Sequence, residues 1–170
     1  MNQIDQEQTI NFKCFIKVKP IPKERPRSSI YINKFYTPTK TKGYESFIKS
    51  SLMFCKQKTR FECSMNILFE ARLIFCFTPP LSWSEAKKRA ALAGKIRPKI
   101  RSDGDNLEKS IWDAAQGVLF HNDNQIIDIL REKVYFKTQG VYLELRAAKD
   151  ASNSVNYLQE YMENQSRDIY

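Results

Sequence analysis

The stretch IIDILREKVYFKTQGVYLELRA, residues 126–147, decides the fold. Two runs rich in β-branched and aromatic residues flank a turn-forming break at Thr138-Gln139-Gly140. In the second run Val141, Leu143, Leu145 and Ala147 alternate with Tyr142, Glu144 and Arg146, the period of a strand with one buried face. The pattern predicts strands over 126–137 and 141–147, joined as a hairpin.

Upstream, Ile67, Phe69, Ala71, Leu73, Phe75 and Phe77 share one face of a long strand that Pro79-Pro80 ends. Phe12, Cys14, Ile16 and Val18 do the same opposite Lys13 and Lys17, and a short strand is expected within 29–36. Helical spacing lies between these strands. Tyr44, Phe47, Ile48, Ser51, Leu52 and Cys55 define a helix over 43–58, and Ser82-x-x-Glu85 opens a second that Gly94 closes. Asp105-x-x-Glu108 opens a third, with Leu107, Ile111, Ala114, Ala115 and Val118 as its buried stripe. Interleaved helices and strands, finished by a hairpin, predict an α+β domain with helices packed on a mixed β-sheet. The expected division is a flexible N-terminus over 1–11, one domain over 12–148, and a polar tail over 149–170, with a loose helix around Tyr157–Glu163.

The whole chain has 170 residues and a net charge of +9, and 42% of its residues are hydrophobic, as in a folded domain whose partner is a polyanion. No basic amphipathic helix favours a membrane surface, so nucleic acid is the expected partner. No apolar run is long enough to span a bilayer and the polar start is unlike a signal peptide, so a cytoplasmic protein is expected. The four cysteines show no C-x-x-C spacing and His121 is the only histidine, which argues against zinc. Cys14 and Cys76, in strand-like runs, are expected as buried reduced thiols.

The chemistry concentrates in RSDGDNLEKSIWDAAQGVLFHNDNQI, residues 101–126. Asp103 and Asp105, two apart in extended backbone, can face one point, and Asp123 can return to it after one helix and a turn. An aspartate before a helix is more often only a cap. Here the pair is joined by Lys109, a third aspartate and basic flanks, which favours a metal site. Oxygen ligands without histidine or thiolate suit Mg²⁺, with Mn²⁺ as the alternative. An EF-hand is excluded, because Glu108 and Ala114 stand where the turn glycine and the bidentate acid belong. Lys109, one helical turn past Asp105, is placed to meet a phosphoryl oxygen. His121 is read as a polar turn residue, and Asp113 as a helix-surface or supporting group. Lys95, Arg97, Lys99 and Arg101 alternate along an arm leading into Asp103, while prolines stiffen a second basic loop with Lys23, Arg25 and Arg27. Both are expected to grip phosphates.

These motifs resemble the RusA-type Holliday junction resolvases. The resemblance runs through K-E-R-P-R at 23–27, Tyr36-Thr37-Pro38, D-G-D-N-L-E-K at 103–109, Trp112-Asp113-Ala114, N-D-N-Q at 122–125 and K-x-x-x-x-x-x-G-V at 133–141, covering residues 12–147. It implies a homodimer that uses a divalent cation to nick four-way DNA junctions symmetrically in recombination and repair. Asp103, Asp105 and Asp123 take the metal-ligand roles, and Lys109 the catalytic lysine role. Two departures stand out: Asn122 replaces an acid common before the D-x-Q element, and Ser102 replaces a proline. The rival readings are a structure-selective DNA-binding protein without nuclease activity, and a metal nuclease for another branched nucleic acid. Mg²⁺-dependent nicking across a panel of branched and linear substrates separates them.

Overall fold

Alternate burial along Phe69–Phe77 (β4) sets the architecture: Phe69, Leu73 and Phe75 are fully buried, and Ala71 and Phe77 nearly so. The computed structural model describes residues 11–25, 38–63, 65–99, 104–148 and 155, and the backbone of 27–29 and 34–36. In chain order the elements are β1 (Asn11–Ile16), β2 (Arg27–Ser29), β3 (Lys34–Tyr36), α1 (Thr39–Thr59), β4, α2 (Glu85–Leu92), α3 (Gly104–Ala115), a 3₁₀ turn (Asp123–Gln125), β5 (Ile126–Tyr135) and β6 (Gly140–Ala147).

The main sheet has the order β1-β6-β4-β5; β5 runs parallel to β4, while β6 is antiparallel to both β4 and β1. The sheet is therefore mixed, and the fold is α+β. The expected hairpin is corrected, because β4 lies between β5 and β6. A strand as apolar as β4 is best hidden with both edges paired, so the chain reverses over its end. The connection spans two strand spacings, about 10 Å rather than about 5 Å. Phe136 N donates to Phe77 O at 2.8 Å and Gln139 Nε2 donates to Thr78 Oγ1 at 3.0 Å, which ties the connection to the end of β4. Parallel β5 needs a crossover, and the segment with α2 and α3 supplies it.

Helices α1 and α3 pack against each other on one face of the sheet, where Ile48, Leu52, Leu107 and Ile111 join Phe12, Leu73, Leu143 and Leu145 in one core. The α3 stripe is buried as expected, whereas Phe47 of the predicted α1 stripe is half exposed. Ser84, not Ser82, caps α2 by accepting from Lys87 N, because a Pro80–Trp83 turn occupies the preceding residues. Gly94 closes that helix with a positive φ. One expected short strand is instead the antiparallel pair β2–β3. Cys14 and Cys55 form a disulfide, which corrects the reduced reading of Cys14. Cys14 points inward from β1 beneath α1, so the core that buries it also brings it to Cys55. Cys76 is buried and free, as expected. No helix among the described residues is long and apolar enough to cross a membrane. The expected tail helix lies outside the described residues.

Gly140 opens β6 against the backbone of β1: a Cβ there would stand 2.9 Å from Ile16 O and closer still to the Phe15 ring. Gly140→Ala is expected to destabilise the domain by about 1–3 kcal/mol, as overpacking does. Urea denaturation checks this, and an unchanged midpoint would contradict the close approach.

Candidate active site at the start of α3

Because β5 is parallel to β4 and Arg131 is registered with Leu73, Arg131 projects from the sheet face that carries the helices. There its Nη1 donates to Asp105 Oδ1 at 2.8 Å and to Glu108 Oε2 at 2.7 Å, so one nitrogen bridges two carboxylates a turn apart on α3. Partial desolvation works against the charged guanidinium. The hydrogen bond to Asp105 and the charge of Glu108 outweigh it, so the Arg131 pKa is raised. The carboxylates are unequal. Glu108 is mostly buried and also accepts from Trp112 Nε1 at 3.0 Å, whereas the Asp105 side chain is 71% exposed. Acids in a first helical turn also meet the positive end of the helix dipole.

One basic segment is anchored beside this turn. In the proline-stiffened loop, Lys23 N donates to Asn106 O at 2.8 Å, and Ser110 Oγ donates to Ile21 O at 3.1 Å. The Lys23 ammonium is paired with Asp113 and Glu45, which gives Asp113 a structural partner and leaves Arg25 exposed at the loop's end. The second basic segment makes its contact on the opposite sheet face: Arg97 reaches Glu132 at 3.5 Å, where Glu132 also pairs with Arg72, while Lys95 and Lys99 are exposed. Lys109 is exposed one turn beyond Asp105. Asp103, Arg101 and the Arg27 side chain lie outside the described residues.

Asp123 sits on the rim in the 3₁₀ turn before β5, exposed, whereas Asp105 meets β5 well inside the strand, at Arg131. Among the described residues no three acidic, histidine or cysteine side chains form a metal-binding group. Asp105, Glu108 and Asp123 thus stand as an arginine-bridged pair and a separate carboxylate. The pair fits a hard cation in one respect: its oxygens already share a single positive centre.

Spacing alone did not single out Gln125, Arg131 or the paired role of Glu108. Gln125 is buried; its Oε1 accepts from His121 N at 2.8 Å and Asn122 N at 3.2 Å, and its Nε2 donates to Ile67 O at 2.8 Å. Asn122 caps the same turn by accepting from Asn124 N. The signal that points to Gln125 is an amide three residues after an Asn, the capping-box spacing. His121 is exposed.

An acid-bearing helix start with a basic loop bonded to its first turn suits contact with a phosphodiester backbone. A family model described as Endodeoxyribonuclease RusA matches residues 17–146, and the chain belongs to that family of Holliday junction endonucleases. It is also similar to the uncharacterized protein YqaN of Bacillus subtilis (strain 168), with 25% identity over 130 residues that cover 75% of this chain and 90% of the relative.

Gln125→Ala leaves two backbone N–H groups and one carbonyl without their buried partner. It is expected to cost about 1–3 kcal/mol. Thermal unfolding measures the loss; wild-type stability would contradict the hydrogen bonding that places Asp123.

Proposed function

We propose that this chain resolves four-way DNA junctions by paired symmetric nicks, acting as a homodimer with Mg²⁺ or Mn²⁺. The observation that carries this reading is the exposed Asp105 carboxylate, with Arg131 beside it and a basic loop bonded to the same helical turn. Asp103, Asp105 and Asp123 would hold the cation, while Glu108 keeps Arg131 beside it. Bound there, a divalent cation would lower the pKa of a water and offset charge on the scissile phosphate.

The chain's own groups do the rest. Arg25, Arg27, Lys95, Arg97, Lys99 and Arg101 bind backbone phosphates and hold the junction in register without reading sequence. Lys23 supports the loop through its two acidic partners and adds positive potential. Lys109 donates to a phosphoryl or leaving oxygen, where negative charge grows during in-line displacement. Two-fold symmetry supplies one such site to each of two equivalent strands.

Asp105→Asn is expected to reduce nicking of a synthetic four-way junction by about 100-fold or more, the scale of losing a principal charge-stabilising group. Junction affinity measured in Ca²⁺ should change little. Affinity of the wild type should fall by orders of magnitude between about 50 and 200 mM salt, as counterion release requires. Full nicking by the variant, or a flat salt response, would overturn the assignment.

A further inference from the structure

Arg131 makes contacts that the proposed reaction does not by itself explain. It neutralises Asp105, an exposed carboxylate of the proposed cation site, and does so with the same nitrogen that Glu108 holds. The two ends of this bridge differ in strength of attachment. Glu108 is fixed by the buried Trp112, while Asp105 projects into solvent. A cation that claims Asp105 therefore has to take it from Arg131, and the guanidinium stays behind on Glu108.

A second, independent feature makes room for this arrangement. Gly104 begins α3 under the guanidinium, and a Cβ at that position would lie 2.9 Å from both Cζ and Nε of Arg131. The flat guanidinium rests against a backbone that only glycine leaves open. Arg131 is a movable side chain, so a methyl group there displaces it with little harm to the fold.

We propose that Arg131 is a built-in countercation that competes with the divalent cation for Asp105 and so sets the cation affinity of the site, with Gly104 providing its seat. This rests on the reading of Asp105 as a cation ligand. It makes Arg131 a positioning residue. Without it the acids at the start of α3 would face one another with no positive partner, and an incoming cation would meet no competitor.

The test is calorimetric titration of Mn²⁺ into DNA-free protein, comparing wild type with Arg131→Gln, Gly104→Ala and Asp105→Asn. Thermal unfolding of each variant confirms that it is folded. Arg131→Gln is expected to tighten Mn²⁺ binding by about 3- to 10-fold, the range for releasing an exposed ion pair together with a nearby like charge. Gly104→Ala should tighten it in the same direction with every charge retained, and Asp105→Asn should weaken it. Mn²⁺ binding seen only after Arg131→Gln would also support the competition. Equal affinity in wild type and Arg131→Gln, or no binding in either, would overturn it. Junction nicking is scored separately: wild-type nicking with equal Mn²⁺ affinity in wild type, Arg131→Gln and Gly104→Ala, but weaker affinity in Asp105→Asn, sinks this inference alone. Tightened Mn²⁺ binding with no nicking of any branched DNA by the wild type sinks the nuclease reading alone.

Discussion

Strand β4 has to be hidden along one face and both edges, and the position of every functional group follows from that constraint. Its inward side chains fill the centre of the core. Pairing with β6 on one edge and β5 on the other satisfies its backbone, which an apolar strand in the interior requires. Since β5 runs parallel to β4, the chain has to cross over between them, and α3 is the last helix of that crossover. The edge strand and the returning helix are thereby brought together, and Arg131 of one meets Asp105 of the other.

This juxtaposition puts charge at a place the core can support. Trp112 and Leu107 hold α3 down, and Glu108, between them on the helix, takes one hydrogen bond from the Trp112 indole. Asp105 is left on the outward side of the same turn. The basic loop before β2 is not merely nearby, for its backbone is bonded to the carbonyl of Asn106, the residue after Asp105. The backbone that carries these basic side chains is thus tied to the turn that carries the carboxylates. Their positive potential orients a phosphate backbone on approach.

The one-sided strands and the α3 stripe were legible because burial of one face has a period that the sequence displays directly: Leu73, Leu143 and Ile111 lie where that period places them. The acids at the start of α3 were legible for a different reason, the density of chemistry in D-G-D-N-L-E-K. Strand order was not. A turn such as Thr138-Gln139-Gly140 records that the chain reverses, but not that another strand passes between the two arms. Arg131 was hidden because in sequence it is one more basic residue in a half-apolar strand. Its meaning comes from register with Leu73, a long-range fact. The Cys14–Cys55 disulfide was hidden in the same way, since the two residues meet only when α1 lies on β1.

Asn122 shows how a departure from a family pattern changes meaning once its contacts are known. Read as a lost acid, it would weaken the field at Asp123. In the structure its side chain closes the 3₁₀ turn by accepting from Asn124 N, while its own N–H goes to Gln125. Asparagine and aspartate serve equally as caps, so the turn that presents Asp123 keeps its shape at this position with one negative charge fewer. That charge is missing from a chain whose basic residues outnumber its acids by 28 to 19. The change therefore preserves the geometry of the turn that carries Asp123. A departure that would read as decay from charge alone is, with the hydrogen bonds in view, a residue that keeps the turn closed.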